Sequence, residues 1–245
     1  MIKKIKGIVI KEIDYKDTSK IIEVITQNGI YSIIAKGAKN VKNSNFKGTN
    51  FLSYGEFCIY ENKSISTLKS VDLINSFKNT LKDIVKISAS TYLVKLCIQV
   101  YKQNMNYEIF DLLLSALIKI DNEINALGVV NIVEIKLLKY LGLKLNLDNC
   151  AICGSKKIVY LSLDYSGYLC SNCTNAKMDM KVLKLFKMYD MIDLNKLDKI
   201  NVSKDVMIKI DKFIYEYYEK YTGIYLQSKK LFNELMRWFC VCFSL

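Results

Sequence analysis

The chain has 245 residues, and its composition, 51% hydrophobic and 24% charged, is that of a globular protein with a sizeable core. It contains no histidine and no proline, which excludes Ser-His-Asp catalysis, histidine-ligated metal sites and proline-rich ligand segments. Basic residues exceed acidic ones by 36 to 24, and all but Arg237 are lysines, so the surface is expected to attract polyanions through phosphate contacts.

The first 75 residues predict β-structure. Short runs rich in isoleucine, valine, tyrosine and phenylalanine alternate with turn-like clusters, and Asn28-Gly29 between two runs indicates a hairpin. The predicted strands span residues 7–13, 20–26, 30–35, 51–60 and 64–71. Five short strands with one long connection, between the third and the fourth, favour an oligonucleotide-binding (OB) barrel, and an SH3-like barrel fits the strand count almost as well.

From residue 76 onward the hydrophobic pattern changes to the period of helices. Apolar residues recur at helical spacing between residues 77 and 141, and Gly142 is the expected end of the last helix in that block. Further helices are predicted at residues 181–191, 204–221 and 227–243. The predicted fold class is therefore α+β. An OB-like five-stranded barrel, residues 1–75, precedes an all-helical domain, residues 76–245, with a four-cysteine zinc module inserted at residues 148–176.

Four cysteines near the middle of the chain have the spacing of a structural zinc site, C-x2-C-x16-C-x2-C. They are Cys150, Cys153, Cys170 and Cys173. Each pair can sit in one tight turn, and the connection is long enough to bring the second turn back and complete a tetrahedron. We expect one structural zinc ion, without an open position for substrate. An iron–sulfur cluster is the competing interpretation, and a redox dithiol or a disulfide framework is disfavoured.

The other four cysteines are predicted to be core residues. Cys58 and Cys97 lie in apolar runs, and Cys240 and Cys242 are too close in sequence for a usual zinc knuckle.

A lysine-rich loop is the predicted DNA-binding element. The 32 residues between Glu23 and Glu56 contain no acidic residue. The lysines of this loop are Lys36, Lys39, Lys42 and Lys47. Glycine, asparagine and serine indicate a mobile loop, which is suited to following a phosphate backbone at a barrel rim. The alternative is a solvated loop in a chain whose lysine content reflects AT-rich coding.

A second group of lysines could extend this surface, although nearby acidic residues dilute its charge. These lysines are Lys3, Lys4, Lys6, Lys11 and Lys20.

The order of these features resembles the bacterial DNA repair protein family RecO over nearly the whole chain. The segments that carry the resemblance are Gly7-Ile-Val-Ile, Asp14-Tyr15-Lys16-Asp17-Thr18-Ser19-Lys20-Ile21, Thr26-Gln-Asn-Gly29, Ala35-Lys36-Gly37-Ala38-Lys39, Leu137-Leu-Lys-Tyr-Leu-Gly142, Leu147 and the cysteine module. The chain departs from the family pattern at Lys39 and Asn40, where arginines are frequent, and near Leu145, where a proline is frequent.

The resemblance implies a non-enzymatic recombination mediator of DNA repair. It would bind single- and double-stranded DNA and anneal complementary strands. Together with RecR it would help RecA displace single-stranded-DNA-binding protein (SSB) from single strands. SSB and the RecA filament would be indirect partners. A basic N-terminus without a following hydrophobic region, and no run of 18 apolar residues, predict a cytoplasmic, nucleoid-associated protein with no membrane partner.

Two other function classes are compatible with the residues. One is a zinc-stabilised adaptor that contacts proteins without binding DNA. A set of five tyrosines could form its contact surface, although tyrosines at such spacing are more often core residues. The set is Tyr215, Tyr217, Tyr218, Tyr221 and Tyr225. The other is an enzyme, for which no acidic pair is singled out by a pocket or an open metal position.

Overall fold

The structure is a computed structural model that describes residues 1–242, with side chains through residue 238. The chain divides into two compact units. The strand-rich unit comprises Met1–Lys78 and Met105–Leu114, and the helical unit comprises Asn79–Asn104 and the chain from residue 115 onward. The predicted domain boundary after residue 75 stays a prediction.

Five strands of the strand-rich unit close into a barrel in the order β1-β2-β3-β5-β4. They are β1 (Ile2–Tyr15), β2 (Ser19–Thr26), β3 (Gly29–Ala35), β4 (Tyr54–Tyr60) and β5 (Ser66–Asn75). Strands β3 and β5 pair in parallel, and the remaining neighbours pair antiparallel. This arrangement confirms the predicted OB-like barrel, with its long connection between β3 and β4.

The barrel core follows from the alternation of side chains along the strands. Apolar residues such as Val9, Ile22 and Phe57 point inward and are completely buried. The predicted hairpin between β2 and β3 is present, but Gln27 and Asn28 occupy its turn, because Thr26 pairs with Gly29. The sequence therefore identified the hairpin, but the predicted strands, 20–26 and 30–35, left Gly29 in the turn, whereas it is the first residue of β3.

Six α-helices are present in the described part of the chain. They are α1 (Ile84–Gln103), α2 (Tyr107–Asp121), α3 (Ala126–Leu137), α4 (Met180–Met191), α5 (Lys204–Tyr221) and α6 (Gln227–Cys242). Helix α2 begins in the strand-rich unit and ends in the helical unit. The three C-terminal helices match their predicted ranges closely, although the predicted end of the last, Phe243, lies outside the described residues.

Helix α3 is the centre of the helical unit. It is buried on nearly all sides, and it packs against α1, α4 and α5. Its start is capped by Asn125, whose side chain accepts a hydrogen bond from the backbone N–H of Gly128. At its other end, Gly142 ends a short 3-10 segment in the left-handed conformation with φ of 72°, as the sequence predicts.

Helix α1 is the one helix, among those described, that has the length and hydropathy to cross a membrane, and 56% of its apolar window is buried inside the protein. Burial of this extent is typical of a core helix. Cys97 on α1 is completely buried, as predicted for a core residue. Cys58 on β4 is only half-buried, and the side chains of Cys240 and Cys242 lie outside the described residues.

A buried charged cluster joins α6 to the rest of the helical unit. The Nζ atom of Lys229 lies 2.8 Å from Oε1 of Glu134 and 2.6 Å from Oδ1 of Asp211. The hydroxyl of Tyr92 donates to Glu134, and its ring also faces the Lys229 ammonium. Burial alone would lower the pKa of Lys229, but the two facing carboxylates raise it above its ordinary value. Lys229 is therefore charged and belongs to the core.

Candidate metal centre and nucleic-acid interface

A two-stranded hairpin in the helical unit carries the four predicted metal ligands. Its strands are β6 (Ile158–Ser162) and β7 (Gly167–Cys170), which pair antiparallel. One cysteine pair precedes β6, and the second begins at the end of β7, so closing the hairpin brings the two pairs together. The folding of the hairpin is thus what converts a sequence spacing of 16 residues into a cluster.

Each cysteine pair forms a tight turn held by backbone hydrogen bonds. In the first turn the N–H of Gly154 donates to the carbonyl of Cys150 at 2.9 Å, and in the second the N–H of Cys173 donates to the carbonyl of Cys170 at 3.0 Å. Gly154 has a φ of 75°, a left-handed conformation that a residue with a Cβ rarely adopts. These two turns aim both thiols of each pair toward the same point.

The four sulfur atoms form a compact cluster. Their Sγ atoms all lie within 4.8 Å of one another, and those of Cys153 and Cys170 are 3.4 Å apart. Backbone N–H groups, first that of Cys153, lower the pKa of the Cys150 thiol to about 6. The nearby thiols, first that of Cys153, raise the pKa of Cys173 to about 12. Four thiolates this close are mutually repulsive unless a cation lies between them, so the cluster has the geometry and chemistry of a metal site.

The hairpin is anchored to the helices of its own unit. Tyr168 on β7 is buried, and its hydroxyl donates to the carbonyl of Leu183 on α4. Lys187 on α4 forms an ion pair with Asp148, just before the first cysteine turn. A Cβ at Gly167 would lie 2.7 Å from the carbonyl oxygen of Asn146, so the close approach of these two segments requires glycine. A metal in the cluster would therefore brace the packing of α4.

The lysine-rich segment between β3 and β4 is more ordered than its composition suggests. Asn45 accepts a hydrogen bond from the N–H of Val71 on β5 at 3.0 Å, and Thr49 is completely buried. A Cβ at Gly48 would lie 2.5 Å from the side chain of Val71, so this segment packs directly on the barrel. The N–H of Lys39 donates to the carbonyl of Thr18 in the turn between β1 and β2. The loop is thus fixed at one end of the barrel, beside that turn.

The nine predicted DNA-binding lysines fall into two groups in the structure. Five pair with carboxylates, all of which are at least partly exposed, and the pairs are Lys3–Glu61, Lys4–Glu56, Lys11–Glu23, Lys20–Glu12 and Lys39–Asp14. The other four are exposed and have no carboxylate partner among the described residues. These four are Lys6, Lys36, Lys42 and Lys47.

The two predicted lysine groups do not form one continuous surface. Lys3 and Lys4 lie near the N-terminal end of β1, the far end of that strand from the β1–β2 turn. Hydrogen bonding to Glu61, and then to the Tyr31 hydroxyl, raises the pKa of Lys3. The lysines of the β1–β2 turn and of the β3–β4 loop lie on adjoining segments, because the N–H of Lys39 donates to the carbonyl of Thr18 and the ammonium of Lys20 donates to Asn50. We name this group the basic rim, and it comprises Lys16, Lys20, Lys36, Lys39, Lys42 and Lys47.

Sequence reasoning missed part of the basic rim. Lys16 is an exposed residue of the β1–β2 turn, and its ammonium lies 5.4 Å from the ring centre of Tyr15. The ammonium of Lys20 lies 5.6 Å from the ring centre of Phe46 in the β3–β4 loop. Aromatic rings between cations are typical of single-strand binding surfaces. The sequence signal was present, because Tyr15 and Lys16 lie in a turn-like segment that carries the family resemblance, but Lys16 was not predicted to contact DNA.

The tyrosine set proposed as an adaptor surface is largely internal. Tyr217 and Tyr218 are buried, and their hydroxyls donate to the carbonyls of Leu143 and Glu134. Tyr221 donates in the same way to Leu163. These bonds show that most of the set holds α5 against its neighbours, so no observation favours an adaptor surface there.

Comparisons with known proteins agree with this arrangement of a barrel followed by helices. The model of the family described as Recombination protein O N terminal matches residues 1–77, and that described as Recombination protein O C terminal matches residues 81–230. The chain is 32% identical to a DNA repair protein RecO of Shouchella clausii, covering 96% of this chain and 95% of the relative. It is 29% identical to that of Bacillus pumilus over the same shares, and 34% identical to that of Clostridium perfringens over 68% of this chain and 70% of the relative.

Proposed function

Since the chain belongs to the RecO family of DNA repair proteins, we propose that it is a recombination mediator that binds single- and double-stranded DNA and anneals complementary strands. In this proposal the protein works with RecR to help RecA replace SSB on single strands. SSB and the RecA filament are indirect partners. The protein acts at the bacterial nucleoid, in the cytoplasm. It holds strands and breaks no covalent bond, so it acts without catalysis.

The observation that carries this proposal is the basic rim. It lies at the end of an OB-like barrel, and barrels of this class bind oligonucleotides with their loops and the face of strands 2 and 3. Lys36, Lys42 and Lys47 are exposed there without a carboxylate partner among the described residues. Lys39 is paired with Asp14, but this ion pair is largely exposed and therefore weak, so a phosphate can compete for the Lys39 ammonium. Lys20, with 12% of its side chain exposed, contributes mainly to the positive potential of the rim.

The physics of annealing fits a surface of this kind. Two complementary strands repel one another through their phosphates, and a lysine surface lowers that repulsion for strands bound to it. Lysine contacts phosphate as a point charge and does not read base edges. The surface would therefore accept any sequence, which a protein of general strand annealing requires.

We propose that the four-cysteine cluster holds one structural zinc ion. The ligands are Cys150, Cys153, Cys170 and Cys173, whose four soft sulfur atoms leave no position for a water ligand. Zinc would hold the hairpin closed and, through Tyr168 and α4, support the helical unit. An iron–sulfur cluster is the alternative occupant, and element analysis with an absorption spectrum of the purified protein distinguishes the two.

A salt titration tests the DNA-binding proposal. Each phosphate contact on a single strand contributes about −0.7 to the slope of log affinity against log salt concentration. The triple variant Lys36→Ala/Lys42→Ala/Lys47→Ala should therefore flatten that slope by up to about 2.1 and weaken binding of a labelled oligonucleotide, whatever its sequence.

The matched control removes three exposed lysines of the same unit outside the basic rim, Lys63→Ala/Lys69→Ala/Lys78→Ala. This variant loses the same charge, so a general effect of net charge would appear in both. Equal slopes for the two triple variants would contradict the proposed site, and wild-type protein without salt-dependent binding would contradict the proposed function.

A further inference from the structure

A groove of about 650 Å³ lies in the helical unit, between α4, residues 192–203 and the start of α5. Its volume is in the range of sites that bind small organic ligands. Leu185, Met188 and Ile192 provide an apolar wall, and Met188 is 42% exposed. Neither the metal cluster nor the basic rim contributes to it, so its properties call for a separate explanation.

The charge of the groove is entirely positive. Lys181, Lys184 and Lys199 line it, and no aspartate or glutamate does. Within the described part of the chain, none of these three lysines has an ion-pair partner, whereas neighbouring lysines such as Lys187 and Lys196 do. Three uncompensated ammonium groups around an apolar wall are complementary to a ligand that has both an anionic and an apolar part.

A buried hydroxyl group in the same groove lacks a hydrogen-bond partner. Tyr189 lines the groove, its side chain is completely buried, and its hydroxyl oxygen forms no hydrogen bond within the described residues. Other buried tyrosines of this unit, such as Tyr168 and Tyr218, donate to backbone carbonyls. Among the seven buried side-chain oxygens of the described residues that lack a partner, only that of Tyr189 belongs to a residue lining this groove, which makes a ligand in the groove its candidate partner.

The start of helix α5 adds a second source of positive potential. Helix α5 has 18 residues, and its N-cap residue Ser203 lines the groove without forming a side-chain capping bond. The free backbone N–H groups of a helix start, together with the helix dipole, favour an anion. Asp205 lies in this first turn but does not line the groove.

We propose that this groove binds one nucleotide of a single-stranded DNA segment and serves as the site of the second strand during annealing. The three lysines and the start of α5 hold its phosphate, and its base lies on Leu185, Met188 and Ile192. Tyr189 and Asn201 also line the groove and are the polar side chains available to the edge of the base. This inference rests on the proposed function, because it assigns one of the two strands that annealing requires.

The charge distribution along the chain supports a second strand on the helical unit. From residue 76 onward the chain carries 24 basic and 17 acidic residues, an excess of 7, compared with 12 basic and 7 acidic residues before it. The sequence after the barrel therefore has a net positive charge of its own, although its net charge per residue is lower than that of the barrel sequence. In the groove, three of these lysines lie beside an apolar wall and a residue with an unsatisfied hydroxyl group.

Photo-crosslinking locates the bound strands. An oligothymidylate with thio-substituted thymidines is irradiated with the full-length protein, and the cross-linked peptides are identified by mass spectrometry. Wild-type protein should give cross-links both in the barrel and in residues 181–206. The variant Lys181→Ala/Lys184→Ala/Lys199→Ala should lose most of the second set, keep the first, and anneal complementary strands more slowly while it still binds a single strand.

A matched control and a conservative variant separate binding from structure. Lys95→Ala/Lys102→Ala/Lys156→Ala removes three exposed lysines of the same unit that do not line the groove, and it should keep the cross-links. Tyr189→Phe removes only the unsatisfied hydroxyl, so a purely structural role predicts an unchanged cross-link yield. The proposal predicts a lower yield with a melting temperature at least as high as that of the wild type.

Cross-links confined to the barrel, or groove cross-links undiminished in the lysine variant, would overturn this inference and leave the proposed function intact. Absence of cross-links in both units, together with absence of salt-dependent binding, would overturn both.

Discussion

The two units of the chain use charged and reactive side chains in opposite ways. In the helical unit the four cysteines face one another, and Lys229 lies between Glu134 and Asp211, so these groups are directed toward one another and not toward a ligand. At the basic rim, Lys36, Lys42 and Lys47 point to solvent without a carboxylate partner among the described residues. Clusters whose groups face one another, here called closed, stabilise a fold. Charged groups that face solvent without a partner, here called open, are available to a ligand. The difference separates the residues that hold the structure from those that we expect to bind DNA.

The largest effect is expected at the cysteine cluster. Cys153→Ser removes one of four ligands, and its loss of metal affinity should exceed the roughly 10–100-fold loss that is typical when a second-shell partner is removed. The helical unit should then melt at a lower temperature, because metal binding is coupled to folding. Element analysis and thermal melting measure the two effects, with Cys58→Ser, outside the cluster, as the control. Wild-type protein without zinc or iron, together with unchanged melting of Cys153→Ser, would show that the cluster holds no metal.

A smaller but clear effect is expected at the buried lysine. Lys229→Ala leaves Glu134 and Asp211 facing each other without a cation, and removal of one partner from a buried ion pair typically costs about 3–5 kcal/mol. Denaturant unfolding measures this loss. The triple variant Lys229→Met/Glu134→Gln/Asp211→Asn removes all three charges and should recover much of the stability.

The control for this prediction is Lys220→Ala. It removes an exposed lysine of α5 that pairs with Asp164, and it should leave the unfolding midpoint nearly unchanged. If Lys229→Ala were equally harmless, the distinction between closed and open charges would be wrong.

The sequence predicted those features that depend on neighbouring residues. The cysteine turns need two short spacings and Gly154, and alternation of apolar residues is enough to identify the barrel strands. The sequence did not predict which lysines form ion pairs. Partners such as Lys4 and Glu56 are distant in sequence and come together only where β1 pairs with β4. For the same reason Lys229 counted toward the surface charge although it is buried. The groove beside Tyr189 was also not foreseen, since residues 192–203 have no regular pattern.

Chemical footprinting of lysines tests the central claim, that DNA lies on the basic rim, most directly. An amine-reactive reagent is applied to the protein with and without saturating single-stranded oligonucleotide, and modification at each lysine is measured by mass spectrometry. We predict that DNA protects Lys36, Lys42 and Lys47, while Lys63, Lys69 and Lys78 of the same unit react equally in both conditions. Equal reactivity of Lys36, Lys42 and Lys47 with and without bound DNA would contradict the account.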